Sequence, residues 1–119
     1  MTLEEVIVSE TAAIATAYPL VVPVDAPDEC IVYQLIGAPE SQMNGYVGQR
    51  VQLGCWATSY GDAVALANAV RSRFWGRHAT VSDVHYRSMV ITMRDGIPDL
   101  EAGRFSRLID VRFDYRNPV

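Results

Sequence analysis

No apolar run in this sequence approaches the ~20 residues that a helix needs to cross a bilayer, which excludes a helical membrane span. Cysteine is scarce. Cys30 and Cys55 stand 25 positions apart with no second pair, so no zinc-binding spacing exists. In a reducing compartment both are expected to be buried thiols instead of a bridge. Histidine is limited to His78 and His85, which leaves a nucleophile–base–acid triad little to draw on. Cys55 and His85 could meet across a sheet, but Cys55 lies on the apolar phase of its strand beside Leu53, where a thiol is inert. There is no GxGxxG and no P-loop, and Gly45, Gly48 and Gly54 are too spread to cradle a phosphate. The acids between positions 95 and 101 lack the ligand spacing of a calcium loop. These gaps point away from an enzyme and away from any cofactor or metal.

Lysine is missing altogether, and all ten basic residues are arginine. Two explanations are compatible: a codon bias toward arginine in a GC-rich genome, and the suitability of a planar, bidentate, stacking guanidinium for protein interfaces. The net charge of −4 and a pI near 5 argue against a basic nucleic-acid-binding surface. The opening Met1-Thr2-Leu3-Glu4-Glu5 is acidic where a secretory signal would be basic, so the chain is expected to stay in the cytoplasm where it is made. With 119 residues, half of them hydrophobic and a fifth charged, residues 1–119 are expected to form a single domain.

Internal repeats and low-complexity tracts are absent. Residues 2–17 read as a helix, with Thr2 as cap, Glu4 and Glu5 in the first turn, and Tyr18-Pro19 ending it. Residues 20–29 hold Pro23, Pro27 and three acids and read as extended or looped, with a short strand over 20–22. The β-branched run at 31–36 predicts a strand. Residues 37–48 carry Gly37, Pro39, Asn44, Gly45 and Gly48 and predict a projecting loop. From 49 to 56 the pattern alternates: Val51, Leu53 and Cys55 face one way, Arg50, Gln52 and Gly54 the other. Ser59 with Asp62 marks a capping box for a helix from Tyr60 to about Trp75. Its face is Ala63, Leu66, Ala67, Val70 and Phe74, and Gly76 can end it. Residues 81–94 predict one long strand, broken by Asp95-Gly96-Ile97-Pro98. Residues 104–116 are the cleanest strand, with Ile109, Val111, Phe113 and Tyr115 toward the core. The order helix, strand pair, helix, strand pair gives an expected α+β fold. Its expected form is a mostly antiparallel four-stranded sheet with two helices packed on one face.

The outward phase of the last strand, Asp110, Arg112, Asp114 and Arg116, alternates in sign. A solvated sheet face and a subunit interface both fit it. With Arg50 and Gln52 on the outward phase of their strand, and Trp75 and Arg77 at the end of the second helix, these residues make up the candidate subunit interface. Trp and Arg are over-represented at binding hot spots. Trp75 fits an interface anchor and a rim of the core equally, whereas Trp56 is expected to pack in the core.

The string Val51-Gln52-Leu53-Gly54-Cys55-Trp56-Ala57-Thr58-Ser59-Tyr60 is followed by Asp62-Ala63, Leu66-Ala67 and Ala69-Val70-Arg71. It resembles the tail completion, or tail terminator, family of long-tailed bacteriophages. Tyr18-Pro19, Ile31-Val32-Tyr33-Gln34 and the alternating strand at 104–116 extend the resemblance over residues 18–116. The resemblance implies a structural virion protein that caps the tail tube as a hexameric ring. Its implied partners are further copies of itself, the tail tube protein and a head-completion or neck protein, with no membrane. It implies a place at the tail–neck junction after assembly in the host cytoplasm. DNA would pass through the lumen without specific binding, and a negative lumen lets it slide. The competing readings are another neck or tail-tube component and a small α/β ligand-binding module, which would need a pocket with convergent polar groups.

Overall fold

The computed structural model describes residues 1–42 and 44–116. Met43, inside the predicted loop, lies outside the described residues, as do residues 117–119. Helix α1 (Leu3–Thr11) opens on a complete capping box: Thr2 accepts from the Glu5 amide, and the Glu5 carboxylate accepts from the Thr2 amide at 3.1 Å. It stops earlier than expected. The Thr11 hydroxyl donates back to the Ile7 carbonyl at 2.8 Å, a local bond that competes with helix continuation. The chain then turns into β1 (Thr16–Pro19), which pairs parallel with the start of β2 (Cys30–Ser41). Pro19 is tolerated because β1 is an edge strand and its missing donor costs no ladder bond.

Strand β2 forms a hairpin with β3 (Val47–Ala57), and α2 (Tyr60–Phe74) follows. The predicted loop at 37–48 is largely strand. A register shift between Ile36 and Glu40 absorbs Gly37, at φ +71°, and Pro39, so the turn residues mark a bulge in a long hairpin. After α2 come β4 (Arg77–Val81), β5 (Val84–Asp95) and β6 (Phe105–Arg116). The strand expected at 81–94 is thus two, divided at Ser82-Asp83, where Ser82 takes φ +54°.

The sheet order is β1-β2-β3-β6-β5-β4, with every neighbouring pair antiparallel except β1–β2. The four-stranded, mostly antiparallel sheet expected from the sequence is therefore corrected to a six-stranded, mixed and curled sheet with two helices, still α+β. The two missed strands are the edges, β1 hidden in the apparent tail of the first helix and β4 in the turn after the second. Edge strands bury little, so their alternation is weak in the sequence.

One apolar cluster joins all the layers. Leu3, Val6 and Ile7 of α1 and Leu66, Ala67, Val70 and Phe74 of α2 pack on Val51, Leu53, Ile109, Val111 and Phe113 of the central strands. Both cysteines are buried free thiols, and burial pushes the Cys55 thiol up to about 12, with the neighbouring Cys30 adding to the effect. The second helix starts as expected, the Ser59 hydroxyl accepting from the Asp62 amide at 3.1 Å. Ser59→Ala is expected to lower stability by about 1 kcal/mol, read as a shift in the urea midpoint at constant slope. An unchanged midpoint would mean that packing alone fixes the start of α2.

Candidate subunit interface

A strand places alternate residues on opposite faces. Because Val51, Leu53, Ile109, Val111 and Phe113 lie against the helices, Arg50, Gln52, Asp110, Arg112, Asp114 and Arg116 are presented on the helix-free face. The register sets Arg50 beside Arg112 and Gln52 beside Asp110. Like charges directly opposite one another destabilise a sheet, and the two guanidiniums avoid this by turning to different carboxylates. Arg50 reaches Asp110 at 3.7 Å, while Arg112 reaches Asp114 at 3.3 Å and Glu40 at 3.9 Å. Gly48 makes this possible, since a side chain there would overlap the Arg112 guanidinium.

Strand β5 adds residues that the sequence reading left out. Arg94 donates to Asp110 and to Gln52, both at 3.0 Å, and Thr92 donates to Asp110 at 3.2 Å. Arg87 lies 4.0 Å from Asp114. The Arg87 and Arg116 guanidiniums both sit on the Tyr46 ring, 4.8 and 5.5 Å from its centroid. Asp110 is buried at 6% exposure, and its Oδ1 has no hydrogen-bond partner among the described residues, so this residue is a covered anchor of the network. Arg87 was legible in principle, alternating with Val84, Tyr86, Ser88 and Val90. Arg94 was not, because the register shift between Val90 and Thr92 changes the phase of the strand.

The network has a net sign. Arg50, Arg87, Arg94, Arg112 and Arg116 face Glu40, Asp110 and Asp114, a local balance of +2 on a chain of net charge −4. The rest of the molecule therefore carries −6. Much of that lies at the far end of the sheet, in the exposed Asp25, Asp28, Glu29, Asp62, Asp99 and Glu101.

The remaining two candidates are elsewhere. Trp75 caps the end of α2 at 50% exposure, with the Arg71 guanidinium 4.4 Å from its ring centroid. Arg77 is turned inward. Its Nε donates to Glu10 at 2.7 Å and to the Tyr86 hydroxyl at 2.9 Å, and the Tyr86 hydroxyl donates to the same carboxylate. Burial pushes Glu10 upward, but the bonds from Tyr86 and Arg77 and the charges of Arg77 and Arg73 outweigh it and hold the carboxyl below its ordinary range. The same burial and the Glu10 carboxylate push the Tyr86 phenol well up. The group is an internal clasp of α1 onto β4 and β5.

Trp56 is not in the core. It shares the phase of Gln52 and lines a cleft of about 510 Å³ on the helix-free face with Leu20, Val21, Val24 and Val32. Of its polar lining residues, Arg104 is spent on the backbone carbonyls of Ala26, Pro27 and Asp28, which leaves Asp99. Convergent polar groups are what fix a small ligand, so this cleft suits an apolar protein surface better. Leu20, Val21 and Val24 of its lining, and Ile97 and Leu100 on either side of Asp99 in sequence, are exposed between 68% and 107%. Among the described residues no group of His, Cys, Asp and Glu could hold a metal ion, and no helix is long and apolar enough to cross a membrane.

Residues 23–117 match the family model described as bacteriophage tail terminator protein. The match takes in α2 and β2 to β6, and with them the arginine network and most of the cleft. No curated protein matches the chain.

Proposed function

The chain belongs to the bacteriophage tail terminator family, and on that basis we propose that it caps the tail tube as a hexameric ring and joins the tail to the head–neck complex. The family match over residues 23–117 carries this reading. The protein works as a structural part of the virion at the tail–neck junction, not as an enzyme. Its partners are its own copies, the tail tube protein and a head-completion or neck protein. DNA passes through the lumen without specific binding, and an acidic subunit favours this because repeated negative charge repels the phosphate backbone. The contact between copies is heterologous, since head-to-tail contacts close into rings.

Electron microscopy of tails tests the reading. A closed ring of this subunit at the head-proximal end, missing from tails made without it, is the expected result. A dimer or an open helical stack in the virion would overturn it. Arg112→Glu tests the helix-free face as part of the contact. Its pairs are surface pairs worth about 0–1 kcal/mol, so folding should barely change, whereas ring closure should fail and leave tails unjoined to heads. Normal phage yield from this variant would return the face to solvent.

A further inference from the structure

We infer that the cleft end of one subunit docks on the arginine network of the next, an end-to-face contact between copies of this chain. The inference rests on the ring reading above and names the two surfaces that make the ring. Leu20, Val21 and Val24 are exposed apolar residues of the cleft lining, and the exposed Ile97 and Leu100 stand within two residues in sequence of the cleft-lining Asp99. Isolated exposed apolar residues are ordinary, but a contiguous group with a polar rim marks a protein contact. Here Asp99 and Arg104 both line the cleft, and the exposed Asp25 and Glu101, next in sequence to its lining residues Val24 and Ala102, leave the rim with an acidic excess, with Asp28, Glu29 and Asp62 around the same end of the sheet.

The matching surface is on the same chain. Met89 and Ile91 stand exposed at 46% and 44% on β5. Met89 lies beside Arg112 in the register, and Arg87 and Arg94 flank the pair in sequence. An apolar centre rimmed by guanidiniums thus faces an apolar centre rimmed by carboxylates. Charges so placed select register and exclude wrong partners. The occupant is a second copy because both halves of the match occur in each copy.

The arrangement also fits a ring better than a two-fold dimer. The acidic end spans both layers, since Asp62 sits at the start of α2 while Asp99 lines the cleft on the helix-free side. The cleft lies on the helix-free face, and its acidic surround continues round the end of a body 46 Å long and 24 Å wide, so the docking surface is distinct from the arginine network. Joining an end to a face uses two different surfaces and leaves one of each free, the condition for cyclic closure.

A charge swap tests this. One variant carries Arg87→Glu and Arg112→Glu, a second carries Asp99→Arg and Glu101→Arg, and a third carries all four changes. Thermal melting first establishes that each folds. Rings on tails, counted by electron microscopy, should fall about tenfold or more in the first two variants and return in the third, where the signs again match. Wild-type tails without any ring would overturn the ring reading itself. Wild-type rings with the first two variants unaffected, or with no recovery in the third, would overturn this contact and leave the ring reading standing. Should a variant fail to fold, cysteines placed by Arg87→Cys on one chain and Glu101→Cys on another provide the second measurement. Disulfide linkage between chains on assembled tails supports the contact, and none overturns it.

Discussion

Phe113→Ala is expected to lower the unfolding free energy by about 3–5 kcal/mol, the range for emptying a buried aromatic site. Phe113 is fully buried, with the Phe74 ring 5.2 Å away edge-on and the Tyr86 ring 5.7 Å away. The three rings join β6 to α2 and to β5. A gap there has rigid neighbours on both sides, so little of it can collapse. Against a total of ~5–15 kcal/mol for a domain, that loss leaves a marginal protein. Urea titration should show a lower midpoint at unchanged slope. A loss below about 1.5 kcal/mol, the cost of tolerated swaps, would show that the surrounding side chains close the gap. The adjacent Arg112 makes a sharp contrast. One residue along β6 the side chain leaves the core, so Arg112→Glu should disturb assembly with folding nearly intact.

That contrast was legible in the sequence because β6 is a central strand with one face buried. Its alternation of Ile109, Val111 and Phe113 with Asp110, Arg112 and Asp114 runs from Ile109 to Arg116, and its pairing with β3 is unbroken from Phe105 to Tyr115. The same logic found β3 and α2, whose cap and apolar face are local properties. It failed where burial is one-sided or slight. The parallel edge strand β1 has four residues and ends in proline, and its partner residues follow a long loop. Pairing of that kind leaves no local signal. Residues 37–41 carry turn chemistry yet continue a strand, because the bulge accepts Gly37 where a regular ladder would not. At the candidate interface, the sequence identified the rows on β3 and β6 but not the contributions of Arg87, Arg94 and Glu40, which depend on which strands are neighbours. The partner of Arg77 was hidden for a related reason. Glu10 lies in a different element 67 positions away, and only the tertiary fold turns the guanidinium inward.

The Glu10 clasp leads to a pH-dependent expectation. Glu10 is buried at 7% exposure and accepts from the Tyr86 hydroxyl and from Arg77 Nε at 2.7 Å, while Arg73 Nη2 stands 3.6 Å from its other oxygen. Glu10→Gln removes the charge that these donors were placed to meet. Breaking a buried, charge-assisted group costs about 1.5–5 kcal/mol. The lower part of that range applies here, because Arg73 and Arg77 are about a third exposed and can turn to water. About 1.5–3 kcal/mol is therefore expected at neutral pH. The sign with pH follows from linkage. The folded carboxyl lies below the ordinary 4.5, so in the folded state it holds its charge after the unfolded chain has taken up a proton. Its contribution is complete above about pH 4.5 and is lost as the pH falls through the folded value. Wild type and Glu10→Gln should thus differ most near neutrality and converge on the acid side. Glu5 and Asp83 also lie below their ordinary values, held there by Thr2 and by the terminal amine. Both are present in the two proteins, so the difference between their urea midpoints isolates Glu10. A gap that stays constant as the pH falls would mean that the side chain contributes shape and not charge. The clasp would then be a packing contact between α1 and the sheet.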